Sequence, residues 1–578
     1  MTSLGDLALG FRDAYLDHDQ LTRQLRAWCD AYPQLARLQS LATTPEGRDV
    51  WLLTIGTDPD RVRPAIWADG NMHAGELAGS SVALAIAEDA LRAHLEPGSL
   101  DLPPAILERV RDILFYIVPR VSPDGAEAVM TSGRVVRSVP RDTRAARGTP
   151  RWIVGDVDGD GLALAMRVQD PTGELVDAPG FPGLLVERTL EDRGPFYKVY
   201  PEGSIEHFDG KRIPSPYFLG DNPIDLNRNF PWSWAPHHEQ AGAGAYATSE
   251  PESRGIVEFA TAHPEIFAWC NYHTFGGVLI RPPGHTPDSK MNQEDLALFR
   301  QLEAWMTEHT GYPTVNGHDE FLYEPDKPLR GDLSDYAYNQ RGAFAYVIEL
   351  WDLFQRLGMP RPKKFVQFYE EVSRDDIVRL AWWDRDENNG RCFPPWRPFV
   401  HPQLGKVEIG GIDPRFGIWN PPVHELATVL ARQVQVFFRV AALAPRLAID
   451  KIERHTLPGG VTRVEVKVIN SGYLGSYGVP SAKPLDFNEP LYATARPGAA
   501  AGGTLVLELV EPGTAYQQLG HLDGWGHGLH TGANLPSYPG TRGSTSTAWA
   551  SYLVRGAGVL EVRIGSARCG FVTARVEV

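Results

Sequence analysis

Two kinds of hydrophobic spacing alternate along the first 445 residues. Residues 18–31 and 76–94 carry apolar side chains at helical spacing, the first stretch ending at Tyr32-Pro33. Short apolar runs, among them residues 50–55 and 113–119, have the continuous character of buried strands. This alternation predicts an α/β domain with a largely parallel or mixed sheet.

The pattern is interrupted between residues 130 and 224. This stretch is polar, rich in Gly, Pro and Arg, and has few sustained periodic runs, so it predicts a long insertion of loops and short strands. The earlier pattern then resumes, with helical spacing at 255–261 and 292–310 and strand-like runs at 267–272 and 344–349. We therefore assign residues 1–445 to one α/β domain with an insertion at about 130–224.

Beyond residue 445 the helical spacing stops. Residues 461–469 alternate strictly, with Val464, Val466 and Val468 on one face and charged side chains on the other. Further strand-like runs occur at 505–510, 559–564 and 571–578, separated by Gly and Pro turns. Residues 446–578 are therefore predicted to form a separate all-β sandwich domain.

The most apolar long segment, residues 428–447, contains three arginines at 432, 439 and 446. At a period of 3.6 its apolar residues make one face of a packed helix rather than a membrane span. The first 20 residues lack the basic start, apolar core and cleavage site of a signal peptide. From these features we expect a cytoplasmic protein with no signal peptide, no transmembrane segment and no membrane partner.

Charge and cysteine content exclude several classes of protein. The 578 residues contain 56 Lys+Arg and 72 Asp+Glu, a difference of 56 − 72 = −16, and no compact basic cluster, which argues against nucleic-acid binding. The four cysteines are isolated and far apart, which argues against a disulfide scaffold or a cysteine-based zinc site.

Four segments with chemically active side chains follow or end predicted strands. They are residues 71–76 (Asn-Met-His-Ala-Gly-Glu), 225–230 (Asp-Leu-Asn-Arg-Asn-Phe), 271–274 (Asn-Tyr-His-Thr) and 346–350 (Tyr-Val-Ile-Glu-Leu). Since open α/β sheets bind ligands at the carboxyl ends of their strands, these segments are candidates to converge in one crevice.

The residue types suit hydrolysis at a metal. His73 and Glu76, three apart on a strand-to-helix turn, can face one ion, and a later histidine, His273, can complete three protein ligands. Two histidines and one carboxylate, with a fourth position left to water, form a catalytic zinc arrangement. A second carboxylate is then needed as general base, and Glu349, the only acid in an apolar strand, is the candidate.

These motifs resemble the zinc carboxypeptidase family, the M14 or carboxypeptidase A-like metallopeptidases, over about residues 15–400. The resemblance is carried by residues 73–76 (His-Ala-Gly-Glu), 122–125 (Ser-Pro-Asp-Gly), 133–137, 225–230, His273 and 348–350 (Ile-Glu-Leu). It implies a mixed-sheet catalytic fold, one zinc ion per chain and a peptide substrate with a free C-terminal carboxylate.

The resemblance also implies a role for individual residues. His73, Glu76 and His273 correspond to the zinc ligands and Glu349 to the general base, while Arg137 corresponds to the arginine that stabilises the oxyanion. Asp225 corresponds to the carboxylate that orients the first zinc histidine. The pair that grips the terminal carboxylate of the substrate corresponds to Asn227 and Arg228.

This sequence differs from the family between the first two ligands, and two further family residues are not placed by any motif. An arginine that many digestive members carry between the first two ligands is replaced by Ala74-Gly75. For the tyrosine that closes over substrate, Tyr323 is the nearest candidate in chain order. Counting back from Glu349 puts the base of the specificity pocket near Ser334.

A second cation is a further hypothesis. The alternating acids of a calcium loop occur at Asp156, Asp158 and Asp160, with Gly159 and Gly161 between and after them. The twelfth residue counted from Asp156 is Arg167, where an EF-hand loop requires a glutamate, so the segment is not an EF-hand. The alternative is a solvated acidic turn.

The sequence therefore predicts a zinc metallocarboxypeptidase that hydrolyses C-terminal peptide bonds. The alternatives are a zinc amidase or γ-glutamyl-type hydrolase of cell-wall peptides and, from another class, an inactive peptide-binding protein. The β-sandwich is an accessory module that would mediate any homo-oligomer.

Overall fold

A computed structural model describes residues 3–142, 148–217, 223–324, 327–498, 507–510, 515–529 and 542–578. Its strands, in chain order, are β1 Ala36–Thr43, β2 Asp49–Ile55, β3 Ala65–Gly70, β4 Leu114–Val118, β5 Arg151–Val154, β6 Ala165–Gln169, β7 Leu175–Ala178, β8 Phe181–Glu187, β9 Phe196–Pro201, β10 Gly203–Glu206, β11 Ile266–Thr274, β12 Val278–Arg281, β13 Thr314–Asn316, β14 Phe344–Leu350, β15 Arg397–His401, β16 Gly405–Gly410, β17 Leu447–Leu457, β18 Val461–Asn470, β19 Leu491–Gly498, β20 Glu508–Leu509, β21 Tyr516–Gly520, β22 Thr547–Arg555, β23 Val559–Ser566 and β24 Gly570–Glu577.

The longer helices lie where apolar residues recur at helical spacing. They are His18–Ala31, Leu77–Leu95, Pro104–Val110, Pro123–Ser132, Pro251–Ala262, Gln293–Thr310, Arg374–Glu387 and Val423–Ala441. The shorter helical turns are Gly5–Leu7, Pro97–Ser99, Leu226–Arg228, Asp288–Lys290, Leu333–Asp335, Tyr336–Gln340, Leu353–Arg356, Gln367–Glu370, Pro480–Ala482, Trp525–Gly528 and Ser544–Ser546. Among the described residues no helix has the length and apolar character needed to cross a bilayer.

An eight-stranded mixed sheet forms the centre of the N-terminal part, in the order β1-β2-β4-β3-β11-β14-β12-β13. Strands β4, β3, β11 and β14 run parallel to one another, and β12 is parallel to β13. The pairs β1–β2, β2–β4 and β12–β14 are antiparallel. All residues of β3 and β11 are buried, as expected for central strands covered on both faces. The predicted mixed-sheet α/β fold is confirmed.

The carboxyl ends of β3, β11 and β14 meet at one edge of this sheet. Tyr272 on β11 pairs with Gly70 on β3, and His273 pairs with Glu349 on β14. The chain continues from β3 through a short turn into the helix Leu77–Leu95. This register brings three of the four segments singled out in the sequence to the same edge.

The helix Val423–Ala441 contains most of the apolar arginine-bearing segment. Its residues Leu430, Val434, Phe437 and Phe438 are buried in the main core, with both phenylalanine rings against Phe115 of β4. The predicted packed helix is confirmed.

The insertion is more ordered than its sequence suggests. Its strands β6 to β9 form a six-stranded sheet with β15 and β16, which follow the last strand of the central sheet in the chain. The strand order is β15-β16-β6-β9-β7-β8, and β5 pairs separately with β10. The guanidinium carbon of Arg167 lies 4.3 Å from the ring centre of Tyr197 and 4.8 Å from that of Trp396, which packs residues of both segments together.

The C-terminal region is all-β, as predicted. It comprises two four-stranded antiparallel sheets, β17-β18-β22-β20 and β21-β19-β23-β24. Alternate residues of both sheets, such as Val466 on β18 and Val562 on β23, join one hydrophobic cluster separate from the main core. Tyr473, Leu474 and Val479 of the same region pack into the main core.

Candidate functional site

The first two candidate ligands lie on the turn between β3 and the helix Leu77–Leu95. Asn71 adopts a left-handed conformation (φ 57°), and its side-chain amide donates to the carbonyls of His73 (2.8 Å) and Ala74 (3.2 Å). The helix can begin this close to β3 because a side-chain carbon at Gly70 would lie 2.4 Å from the Gly79 carbonyl. The turn therefore presents His73 and Glu76 to the same side.

His73, Glu76 and His273 converge with three ligand atoms close together. The Glu76 carboxylate places Oε1 2.8 Å from His73 Nδ1 and Oε2 2.8 Å from His273 Nδ1, and the two Nδ1 atoms are 3.0 Å apart. All three side chains are buried. The sequence prediction that these residues form one cluster agrees with this geometry.

The separations fit a small tetrahedral ion. Ligand atoms about 2.05 Å from a tetrahedral zinc ion are ~3.3 Å apart, close to the distances here. Glu76 Oε2, although near His273, makes no hydrogen bond of normal geometry. Two imidazoles and a carboxylate pointing into one buried space are a donor set suited to zinc, and these side chains would hold it.

The far nitrogens of both histidines are held by acceptors. His73 Nε2 lies 3.2 Å from Asp225 Oδ1, and His273 Nε2 lies 2.5 Å from Asn271 Oδ1. A hydrogen bond donated by Nε2 fixes the tautomer in which Nδ1 is free to bind a metal. Both rings are thereby oriented with Nδ1 toward Glu76.

Behind His273 lies a buried polar network that the sequence motifs do not indicate. Asn271 donates through its amide to Asp69, whose carboxylate also accepts from the indole nitrogens of Trp67 and Trp269, each at 2.7 Å. Burial raises the pKa of Asp69 to about 7, against the lowering effect of these donors. The apolar context of β3 and β11 concealed this network in the sequence.

Glu349 lies beside the three candidate ligands. It is the cross-strand neighbour of His273, and its Oε2 is buried with no hydrogen-bond partner. Burial, together with the charge of Glu76, raises the pKa of Glu349 well above its usual range, although Arg137 opposes this shift. A carboxyl group with a raised pKa in this position is a candidate for proton transfer.

Arg137 and Asp225 form an ion pair next to the triad. Arg137 Nε donates to Asp225 Oδ2 at 2.9 Å, and its Nη1 lies 3.9 Å from Glu76 Oε1. Burial alone would raise the pKa of Asp225, but the charges of Arg137 and His73 hold it well below its usual range. Asp225 is thus an anion shared between a candidate metal ligand and a cation of the cleft.

Asn227 and Arg228 lie in the helical turn Leu226–Arg228. Asp225 caps this turn, because its Oδ1 accepts from the backbone N–H of Asn227 at 2.9 Å. Asn227 Oδ1 accepts from the backbone N–H of Leu333 at 2.9 Å. Both residues line the same cleft as the triad, together with Arg137 and Glu349. The structure thus brings Asn227 and Arg228 to the cleft that the candidate ligands line.

The cleft has a volume of about 260 Å³ and includes the two predicted residues that no motif placed. Ser334 lines it, and so does Tyr323, which is 46% exposed. Other lining residues, to which no role was assigned from the sequence, include Val136, Phe321, Asp332, Tyr369 and Trp419. Trp419 lies beyond every motif, so no local pattern indicated it.

The acidic loop differs from the predicted calcium arrangement. Asp156 and Asp158 group with Glu202 rather than with Asp160. Asp160 accepts from the backbone N–H of Leu162 at 2.9 Å, while Asp156 accepts from those of Gly159 and Gly161. Both oxygens of Glu202 accept backbone N–H bonds from Val157 and Leu164. Turn formation accounts for these contacts.

Comparison with known proteins gives two family matches. A family model described as zinc carboxypeptidase matches residues 21–156 and 219–374, and a domain of unknown function matches residues 446–577. The first match, 136 + 156 = 292 residues, covers half of the chain and omits most of the insertion.

Individual relatives are distant. Human mast cell carboxypeptidase A is 30% identical over 139 residues, which are 22% of this chain and 32% of that protein. The catalytic chain of human carboxypeptidase N is 25% identical over 416 residues, 64% of this chain and 71% of that one. Three of the curated relatives are matched over only 32% to 45% of their own length. The crystal structure of thrombin-activatable fibrinolysis inhibitor aligns with a TM-score of 0.45 and 13% identity, covering 76% of each chain.

Proposed function

Because the chain belongs to the zinc carboxypeptidase family, we propose that it is a zinc-dependent metallocarboxypeptidase that hydrolyses the C-terminal peptide bond of peptides. The observation that carries the proposal is the convergence of His73, Glu76 and His273 on one buried point, with the unpartnered carboxylate of Glu349 in the same cleft. A site with these groups has ligands, a base and room for a substrate.

Zinc bound by this triad would bring the pKa of a coordinated water to roughly 7 and polarise the scissile carbonyl. Glu349 takes the proton from the attacking water and then donates it to the leaving amine. Burial raises the pKa of Glu349 above the usual range of a carboxyl group, which favours its taking up the proton from water.

Arg137 stabilises the oxyanion that develops on the scissile carbonyl. Its Nε donates to Asp225 Oδ2, and the side chain lines the cleft beside the candidate ligands. Asn227 and Arg228 hold the terminal carboxylate of the substrate, for which a planar guanidinium provides paired donors. Tyr323 covers the bound peptide from the rim.

For the C-terminal region we propose an accessory β-sandwich of residues 446–578, added to a catalytic domain of residues 1–445. The fully buried Arg568 donates to the carbonyls of Arg341, Gly342 and Ile266. These carbonyls precede or begin β14 and β11, the strands that end in Glu349 and His273. The accessory domain therefore braces the strands that carry the site.

The proposal is tested with matched peptides that differ only at the C-terminus. Zinc-loaded protein is incubated with the free acid, the amide, and a cell-wall-type peptide in which the terminal residue is attached through a γ-glutamyl bond, and products are identified by mass spectrometry. We expect release of one terminal residue from the α-linked free acid and at least roughly ten-fold slower reaction of the amide, since Arg228 then loses its anionic partner. Preference for the γ-linked peptide would favour the amidase instead. Binding without hydrolysis of any peptide would favour the inactive binding protein.

A further inference from the structure

A loop from outside the zinc-carboxypeptidase match lies against the metal-ligand turn. It comprises residues 411–422, between β16 and the helix Val423–Ala441. The side chain of Asn420 is fully buried, donates to the Gly75 carbonyl at 2.7 Å and accepts from the Ala78 N–H at 2.8 Å. This loop therefore touches the chain between the candidate ligands His73 and Glu76.

The preceding residue in this loop, Trp419, forms part of the cleft wall. A side-chain carbon at Gly75 would lie 2.5 Å from Cε3 and 2.8 Å from Cζ3 of the indole. The glycine between the two ligands thus provides the space in which the Trp419 ring packs, while Trp419 itself remains partly exposed and lines the cleft.

The loop is fixed on several sides. Trp351 Nε1 donates to the Gly417 carbonyl at 2.9 Å, and Tyr15 donates to the Pro421 carbonyl at 2.7 Å. Arg415 pairs with Asp413 and donates to the Met130 carbonyl at 3.1 Å. A wall held by buried hydrogen bonds is already in place before a substrate arrives, so little ordering entropy opposes contact with it.

The cleft is lined by both apolar and polar side chains. Trp419 and Val136 lie beside the ligand turn, Trp419 against Gly75 and Val136 in one apolar cluster with Ala74. Arg228, Asp332 and Ser334 also line the cleft. If Arg228 holds the terminal carboxylate and the scissile bond lies at the ligand triad, the substrate residue before that bond continues past the triad, where Trp419 beside the ligand turn offers it an apolar surface.

We propose that Trp419 contacts the substrate residue immediately before the scissile bond and gives the enzyme a preference for an aromatic or large aliphatic side chain there. The inference rests on the proposed function. An indole offers a large flat apolar surface on which such a side chain loses water and an aromatic ring stacks, whereas glycine at the same place gains nothing.

The test uses blocked dipeptides with one fixed terminal residue and Gly, Ala, Leu or Phe before it. We expect kcat/KM of the wild-type protein to be at least roughly ten-fold higher for Phe than for Gly. Trp419→Ala should remove most of this ratio by lowering the Phe value and leaving the Gly value near wild type. Trp419→Phe should retain most of the ratio, and Trp549→Ala, an exposed tryptophan on β22, should leave it unchanged.

The outcomes separate this inference from the proposed function. Hydrolysis by the wild type with the same Phe-to-Gly ratio in Trp419→Ala overturns the role of Trp419 alone. An equal loss on all four substrates, with unchanged zinc content and melting temperature, also overturns it, because a general defect is not a subsite. Failure of the wild type to hydrolyse any free-acid peptide overturns both. As a second measurement, Trp419→Ala in a Glu349→Gln background should weaken binding of the Phe peptide and not of the Gly peptide.

Discussion

Replacing Asp225 should weaken both the metal site and the oxyanion site, because its carboxylate serves both. Oδ1 accepts from the Asn227 N–H and lies 3.2 Å from His73 Nε2, while Oδ2 accepts from Arg137 Nε at 2.9 Å. Asp225→Asn keeps one oxygen for the first two contacts. It replaces the other with an amide nitrogen, which cannot accept from Arg137, and it removes the negative charge.

The magnitudes follow from the contacts that remain. Loss of a partner that orients a metal ligand typically costs 10- to 100-fold in metal affinity, about 1.4–2.7 kcal/mol. Asp225→Asn retains the contact to His73, so its zinc dissociation constant should rise roughly 10-fold, and that of Asp225→Ala roughly 100-fold. At saturating zinc, kcat should still fall on the order of 100-fold in both variants, because Arg137 loses the anchor that positions it for the oxyanion.

Zinc affinity is measured by competition with a chromophoric chelator, and kcat is measured at saturating zinc. Asp295→Asn is the matched control, since Asp295 is also fully buried but contacts Tyr338 and Ser481 away from the site. Its zinc affinity should equal that of the wild type. Wild-type zinc affinity and kcat in Asp225→Ala would refute the reasoning.

Three further predictions concern other parts of the molecule. Arg228→Ala should raise KM for free-acid peptides roughly 10- to 100-fold, with a smaller change in kcat, and should change KM for amidated peptides little. Steady-state kinetics on both peptides measures this, and an equal rise in KM for both would contradict the carboxylate contact. Removal of zinc by a chelator should lower the melting temperature, since zinc at 1,000 times its dissociation constant contributes about 4 kcal/mol; added zinc should restore it, and an unchanged melting temperature would contradict the triad. Burial, with the charges of Arg120 and Arg48, lowers the pKa of His18 to about 4 in the folded protein, below the value near 6.5 in the unfolded chain. Because the unfolded state then binds more protons between these two pH values, the free energy of unfolding falls by about 3 kcal/mol as the pH drops from 6.5 to 4. In urea unfolding at pH 7 and pH 4.5, His18→Gln should lose less stability on acidification than the wild type; an identical loss would rule out this titration.

The sequence indicated the central fold and the ligand triad because local patterns carry both. Strands β4 and β11 are continuous apolar runs, and the chemically active residues follow directly where such runs end. The register of parallel strands then brings His273 and Glu349 together without further information.

Features that depend on contacts far apart in the chain were not predicted. The pairing of the insertion with β16 joins Arg167 to Glu408, 241 residues away, and Asn420 reaches Ala78 across 342 residues. No local period encodes such contacts. In the acidic loop, Glu202 rather than Asp160 completes the group because β10 begins beside the loop, which the spacing of aspartates does not reveal.

The roles of buried polar residues were also not predicted from the sequence. Asn271 and Asp69 lie within apolar runs and resemble ordinary strand positions in the sequence. In the fold they form a hydrogen-bonded line from the two tryptophans to His273. Their roles follow only from the pairing of β3 with β11.

The Glu349→Gln variant tests the central claim most directly, by combined measurement of its zinc content and its kcat on a free-acid peptide. Glutamine preserves the shape of the side chain but cannot act as a base. We predict one zinc ion per chain, a wild-type melting temperature and a kcat reduced at least ~100-fold. The control is Glu408→Gln on β16, which removes the partner of Arg167 in the six-stranded sheet and should leave kcat near that of the wild type. A zinc-loaded Glu349→Gln protein with kcat near that of the wild type would contradict the assignment of Glu349 as the base.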